Sequence, residues 1–268
     1  DSMWQKVEGS GTGYDLNGGK PVIGGTDDAV KEGRTLIGGT GYDISLLSGT
    51  PISELPVGSI VKITVNGTLR DFLIVHQGLP SSMYDNSCNG TWLLMKDVYE
   101  SRQWDSASIN NYKASAIHSY LNSSFLNLFD SNIKDAIAQV KIPYVNGTGG
   151  SAVASGANGL STKIFLLSGY EVGWAAGDNS SFPADGAKLD YFESGFDSSA
   201  MNKHIAYLNG SVAGWWLRSP YTNDTSYVWL GYPVNGYYAY GAYESFGIRP
   251  AFILPSDTLV SDDGTIVV

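Results

Sequence analysis

Three histidines, one cysteine and two arginines that bracket an aromatic stretch are the residues with chemistry to offer in this chain of 268 residues. His76, His118 and His204 are scattered, with no pair at i and i+4 to hold a metal on one helix face, so each reads as a core or surface histidine. Cys88 is the single cysteine, which leaves no intramolecular disulfide and makes packing the source of stability. It suits an intracellular protein or a particle assembled in a reducing cytoplasm, and is compatible with export. Leu16 to Pro21 (LNGGKP) resembles a phosphate loop superficially, but the first glycine is wrongly spaced and Pro21 stands where a hydroxyl residue would meet Mg²⁺. No G-x-S-x-G nucleophile elbow occurs. Asp27–Asp28 and Asp262–Asp263 are adjacent pairs that read as solvated turns, not the converging carboxylates and carbonyls that calcium needs. No catalytic residue, metal or cofactor is expected.

Recognition chemistry is what the chain has in abundance. Tyr221, Tyr227, Tyr232, Tyr237, Tyr238, Tyr240 and Tyr243 are seven of its 17 tyrosines within 23 of its 268 residues. Tyrosine supplies a large, stiff, amphipathic contact surface at low entropic cost, and the interspersed Ser, Gly and Asn add adaptable hydrogen bonds, which is a paratope composition. The competing reading is a core wall, because tyrosine favours strands. Against it, Tyr237, Tyr238, Tyr240 and Tyr243 do not keep to one strand face. Asn235 and Gly236 offer φ > 0 at both centres of a tight turn, so Tyr227 to Val234 and Tyr237 to Tyr243 are predicted to pair as a hairpin.

Such a surface needs a scaffold, and the rest of the chain reads as one. Residues 1–52 are rich in Gly, Asp, Thr and Ser and carry an echo, KPVIGGT (Lys20 to Thr26) and RTLIGGT (Arg34 to Thr40), each a short strand ending in a Gly-Gly turn. Ser59 to Thr64 and Thr68 to His76 flank Asn66-Gly67 as a second hairpin. Trp92 to Met95 reads as a buried strand and Asp97 to Gln103 as a short helical turn. Ser115 to Asn122 and Ser131 to Gln139 are the predicted helices, with Ile117 and Leu121, and Ile133 and Ile137, four apart on one face and Asp130 or Ser131 as a cap for the second. Gly147 to Gly159 reads as a loop. Ile164 to Leu167 reads as a strand, followed by Ser168 and Glu171 at capping-box spacing. Asn179 to Ser199 has no clear pattern. Val212 to Leu217 leads into the tyrosine hairpin, Ala251 to Leu254 returns as a closing strand, and Thr265 to Val268 is a last edge strand. Helices followed by strands and long loops make the fold class α+β.

Composition narrows the partners. Hydrophobic residues make up 43% of the chain, as in a soluble globular protein, and no apolar run approaches the roughly 20 residues of a membrane helix. Sixteen basic against 26 acidic residues give a net charge of −10, and no lysine follows Lys203, so the aromatic stretch has almost nothing to neutralise phosphates. Neither nucleic acid nor membrane insertion is expected. The chain opens on Asp1 without a basic-then-apolar signal segment, as a trimmed chain would.

The frame WWLRSP (Trp215 to Pro220), the polar and aromatic interior, and GIRPAFIL (Gly247 to Leu254) resemble the C-terminal variable region of diversity-generating retroelement variable proteins. NGTWLLMKDVYESRQW (Asn89 to Trp104), IHSYLNSSFLNLFDSNIKDAI (Ile117 to Ile137) and KIFLLSGYEVG (Lys163 to Gly173) resemble the body of gut phage and bacterial members. The resemblance covers roughly residues 55–255. It implies a C-type-lectin-like fold, of the formylglycine-generating-enzyme-like variant, that displays hypermutated side chains to bind varied ligands, proteins foremost. On that basis residues 1–54 are a β-rich segment for oligomerisation or attachment, and residues 55–268 a ligand-binding domain with its variable region at about 215–250. The ligand-binding residues are then Tyr221, Asn223, Asp224, Tyr227, Leu230, Tyr232, Tyr237, Tyr238, Tyr240, Tyr243 and Phe246, with Trp229 and Glu244 beside them. Their side chains are expected on one shared face, over a layer of Trp215, Trp216, Leu217, Val228, Ile248, Phe252 and Leu254.

The genetic code bears on the same residues. Retroelements of this kind mutate template adenines, and one change turns an asparagine codon into tyrosine. Trp229 and Glu244 are not reachable that way, so each needs another template codon or is a fixed position. Arg218 and Arg249 could each grip a ligand carboxylate; as fixed positions of the family frame they read instead as structural. The resemblance also implies a homo-oligomer, such as a trimer, and favours a virion tail or fibre or a bacterial cell surface. Two rivals stand beside this reading: a lectin with a static sugar site, and a degenerate enzyme of the formylglycine-generating type, whose chemistry uses a cysteine pair where this chain has Cys88 alone.

Overall fold

Asn66 and Gly67 have φ of 50° and 70°, the left-handed pair that a two-residue hairpin turn requires. They join β1 (Ile60–Val65) to β2 (Thr68–Gly78). In β1 the alternation is clean, with Val61, Ile63 and Val65 buried. The remaining elements of the main body are β3 (Gly90–Met95), β4 (Ser101–Gln103), α1 (Ala116–Tyr120), α2 (Ser131–Ala136), α3 (Ser198–Asn202), β5 (Trp215–Pro220), β6 (Tyr227–Gly231), β7 (Tyr237–Gly241), β8 (Ser245–Gly247) and β9 (Ala251–Leu254), with shorter strands between them. This computed structural model describes residues 49–195, 197–232 and 237–268, Tyr237 by its backbone only, and the strands before residue 46 as backbone. The Asn235-Gly236 turn lies outside the described residues.

Two sheets organise the body. The first runs β9-β3-β2-β1, all antiparallel. Its centre, β3, is buried along its whole length, and the strands approach closely there: a Cβ on Gly90 would lie 2.5 Å from the Leu254 carbonyl oxygen. Phe72, Phe125, Phe129 and Phe252 meet edge to face against this sheet, with centroids 5.2–5.6 Å apart for Phe72–Phe252, Phe129–Phe252 and Phe125–Phe129. The second sheet runs β4-β8-β5-β6-β7, so the tyrosine hairpin β6–β7 forms one edge. The fold is a sheet-rich α+β arrangement with few, short helices.

Local competition explains where the expected elements end. Ser115 caps α1, its hydroxyl accepting the His118 N–H at 3.2 Å, and the chain continues through a wide turn at Leu121–Phe125. Asp130 occupies the cap position of α2 without a side-chain bond to it. That helix stops at Ala136, short of Gln139, because the Ala138 N–H is taken by the Ile253 carbonyl at 2.9 Å and Val140–Ile142 pairs with Leu160–Thr162. The helical turn expected at Asp97 to Gln103 is instead extended. Val98 and Tyr99 donate to Tyr207 and Ile248 across the chain, and β4 pairs with β8. Ile164 to Leu167 is fully buried but makes a single bridge, Phe165 with Ala251, in place of a strand.

The first 49 residues form a compact unit of their own, Asp1–Gly49. The division falls before residue 54, because Ile52 is buried and its N–H donates to the Thr258 carbonyl at 2.7 Å. Within the first unit the echo is structural: Ile23 pairs with Thr26 and Ile37 with Thr40, the same hairpin register in each copy. Among the described residues no helix is long and apolar enough to cross a membrane.

Candidate functional site

β5 is buried at all six positions, and its pairing with β6 is interrupted. Trp216 faces Leu230 and Pro220 faces Val228, so Leu217, Arg218 and Ser219 bulge out of register. A bulge re-aims side chains, and here it drives Arg218 into the core. Arg218 Nη1 and Nη2 grip the two carboxylate oxygens of Glu171 at 2.5 and 2.6 Å. Its other donors reach the carbonyls of Pro143, Leu166 and Asp185 at 2.9–3.0 Å, which uses every N–H a guanidinium has. Glu171 is as fully engaged. It accepts the Tyr84 hydroxyl at 2.8 Å and the Ser168 N–H at 2.9 Å, while Ser168 Oγ accepts the Glu171 N–H at 3.1 Å. That reciprocal pair is the capping box read from the spacing, closing a turn where no helix follows. Arg218 therefore grips a carboxylate of its own chain.

Arg249 is likewise buried, donating from Nε and Nη2 to the carbonyls of Met95 and Lys96, with its guanidinium 4.5 Å from the Trp215 ring. Both arginines hold the ends of the aromatic stretch. The layer beneath is as expected: Trp215, Trp216, Leu217, Val228, Ile248, Phe252 and Leu254 are all buried.

Above that layer the proposed binding residues divide. Tyr227, Tyr238, Tyr240 and Tyr243 are 40%, 37%, 38% and 49% exposed. Asn223 and Glu244 are exposed, and Tyr221, Asp224, Tyr232 and Phe246 are half-buried. Tyr237 is described by backbone alone. Trp229 and Leu230 are buried, which removes them from the display surface. Trp229 is stacked on Phe182 at 4.0 Å, and its indole N–H donates to the Ser181 carbonyl. Leu230 sits opposite Trp216 on β5.

The single shared face is also corrected. Val228 and Leu230 pair with Tyr240 and Tyr238, whereas Tyr227 and Trp229 pair with Gly241 and Ala239, and directly paired residues lie on the same side of a sheet. One side of the hairpin therefore carries Tyr238 and Tyr240 in an aromatic row with Tyr232 and Phe246, at centroid distances of 5.3, 6.3 and 4.8 Å. The other carries Tyr227 and Trp229, with Tyr221 against them at 6.5 and 5.1 Å. Beside this second group is an open bowl of about 420 Å³ lined by Asn179, Tyr221, Asp224, Tyr227, Trp229, Tyr238 and Ala239.

Two positioning residues had no signal in the sequence. Asn110, 1% exposed, donates from its side-chain amide to the carbonyls of Tyr221, Asp224 and Tyr227 at 3.3, 2.7 and 2.9 Å and accepts the Gly149 N–H at 2.7 Å. It holds the loop 221–227 from inside. The Ser181 carbonyl accepts from Thr222 N–H and hydroxyl and from the Trp229 indole, all at 3.2 Å. A lone asparagine in a polar run and an unpatterned loop look like any surface segment.

The remaining titratable groups are dispersed. Both ring nitrogens of His204 lie 2.8–3.0 Å from backbone carbonyls, and burial pushes its pKa down to about 4. His76 Nδ1 lies 2.9 Å from an Asp190 carboxylate oxygen. His118 packs on Tyr112, its pKa lowered by burial. The Cys88 thiol is buried, donates to the Lys141 carbonyl, and is pushed up to about 12 by burial. It is a thiol at neutral pH, without the thiolate character of a nucleophile. Among the described residues no three of His, Cys, Asp and Glu converge as a metal set.

Asp185 is the titratable group most exposed to pH. Burial raises its pKa from 3.8 to about 7, against the lowering effects of Arg218 and Ser219. Ser219 Oγ donates toward its two oxygens, 2.9 and 2.8 Å away, and itself accepts the Gly169 N–H at 2.8 Å. A folded pKa above the unfolded one means that the folded state holds the proton longer, so stability falls as pH rises from about 4 through about 7. The expected outcome is a melting temperature that declines between pH 5 and 8 in the natural protein and declines less in Asp185→Asn, measured by calorimetry. For Asn110→Ala, which removes the side-chain partner of four part-buried backbone groups, a loss of roughly 1–3 kcal/mol is expected. Hydrogen exchange should accelerate at residues 222–227 before it does in β3.

Residues 89–256 match the family described as a domain of unknown function, DUF6273. No curated protein and no solved structure matches the chain. The matched span runs from β3 through β9, taking in all of the second sheet and strands β3 and β9 of the first. The chain belongs to the DUF6273 family.

Proposed function

We propose that this protein is a non-enzymatic ligand-binding protein of the retroelement-diversified kind, with a C-type-lectin-like fold that carries a mutable tyrosine hairpin on a fixed frame to bind protein or cell-surface ligands. The observation that carries the reading is the contrast across one sheet: β5 is buried at every position, while Tyr227, Tyr238, Tyr240 and Tyr243 on and just past the edge hairpin are each more than a third exposed. A wall of core would bury those rings. Trp229, which adenine mutation of an asparagine codon cannot produce, is buried against Phe182, as suits a fixed position. The high pKa of the buried, single Cys88 thiol favours binding over an enzyme of the formylglycine-generating type.

The frame and the surface should respond oppositely to mutation. Trp216 is fully buried and donates its indole N–H to the Arg102 carbonyl, so Trp216→Ala should cost roughly 3–5 kcal/mol of stability. Tyr238→Ala with Tyr240→Ala should together cost less than about 2 kcal/mol, yet abolish ligand binding, since interface aromatics can each carry ~2 kcal/mol or more. Denaturant unfolding checks the stability half without a ligand. A double-tyrosine loss equal to that of Trp216→Ala would make these rings core. A glycan array separates the static-lectin rival: natural variants differing only between Tyr221 and Phe246 but sharing one sugar would contradict the display reading.

A further inference from the structure

We propose that the bowl walled by Tyr221 and Tyr227 and rimmed by Asp224 is a site for a cationic side chain, lysine or arginine, of a partner protein. The proposal rests on the ligand-display reading and names the chemistry this particular sequence would take. The bowl, about 420 Å³, lies at the small end of the range for ligand pockets. Its rings meet steeply, at 64° for both Tyr221–Tyr227 and Tyr221–Trp229, so they stand as walls and floor instead of closing into a stack. Ala239, paired opposite Trp229, is small and leaves the space above it open.

The charge is arranged to match. Asp224 Oδ1 accepts both the N–H and the hydroxyl of Ser226, at 2.7 and 2.5 Å, and those bonds hold the carboxyl below the usual carboxylate range. It stays ionised. Among the described residues its second oxygen has no partner, and no lysine or arginine lines the bowl. Elsewhere the chain places its own cations on aromatic rings, Arg102 over Tyr120 at 3.6 Å and Lys203 over Tyr191 at 4.6 Å. Among the described residues Tyr221 and Tyr227 receive none. Tyrosine faces and a fixed carboxylate attract an ammonium or guanidinium group and repel an anion. The occupant is a side chain on a protein because the bowl opens beside exposed Tyr227 and Tyr238, where a partner surface would pack and a long aliphatic stem could cross the rings.

The test is an NMR titration of the full chain with Nα-acetyl-lysine methylamide and Nα-acetyl-arginine methylamide, following the Trp229 indole N–H, with the norleucine derivative as the neutral analogue. The cationic probes should shift that signal and bind at least tenfold more tightly than norleucine, an advantage that added salt erodes. Asp224→Asn should abolish the advantage. Should that variant disturb its loop, Tyr227→Leu at the exposed rim should weaken both cationic probes by a similar factor. Equal binding of all three probes, no shift with either cation, or tighter binding of a neutral methyl glycoside overturns the proposal. Each of those outcomes leaves the display reading standing, because that reading fails on the separate unfolding test of Tyr238 and Tyr240.

Discussion

The Arg218–Glu171 ion pair is the interaction on which the rest of the site depends. Both side chains are fully buried, and a buried pair is weak evidence of stability in itself, since desolvation consumes much of the Coulombic gain. Its effect here is geometric. One guanidinium ties carbonyls at Pro143, Leu166 and Asp185 to β5, and one carboxylate ties Tyr84 and the Ser168 turn to the same point. Segments far apart in sequence thus converge beneath the strand that launches the tyrosine hairpin. Removing one partner would leave an uncompensated buried charge, at a cost of about 3–5 kcal/mol.

With β5 held in this way, the hairpin can vary at its edge without disturbing what lies below. Trp215 and Trp216 each send an indole N–H to a backbone carbonyl, of His204 and Arg102, and Arg249 closes the far end against Met95 and Lys96. Asn110 and Ser181 fix the loop between β5 and β6 through its backbone. Bonds to backbone are indifferent to which side chains the loop carries, so the loop path survives substitution at Tyr227, while the Asn223 side chain adds a bond of its own to the Ser181 hydroxyl at 2.6 Å. The same sheet alternation that splits the tyrosines over two sides gives the hairpin two chemistries, an aromatic row on one and an acidic aromatic bowl on the other, with Tyr238 at the edge bordering both.

What was legible in the sequence was local. The Asn66-Gly67 hairpin, the Ser115 cap and the reciprocal Ser168–Glu171 bonds each depend on residues a few positions apart, and each has a residue-type signature. What was not legible depends on distant partners. The end of α2 is set by the Ile253 carbonyl, the extension near residue 100 by β8, and the burial of Trp229 by Phe182 in a stretch without pattern. Glu171 illustrates both cases: its turn follows from its spacing to Ser168, while its partner lies 47 residues away. The single shared face failed for a different reason: the sides follow from the β6–β7 register, with Tyr227 opposite Gly241 and Leu230 opposite Tyr238, and no residue type in the two strands marks that register.

The central claim is a substitutable surface on an unsubstitutable frame, and the measurement that reaches it directly is a saturation library sorted for protease-resistant folding. Nearly all residues should be accepted at Asn223, Tyr227, Tyr238, Tyr240, Tyr243 and Glu244. Few should be accepted at Trp215, Trp216, Arg218, Glu171, Trp229 and Leu230. Equal intolerance at the two sets of positions would contradict the account.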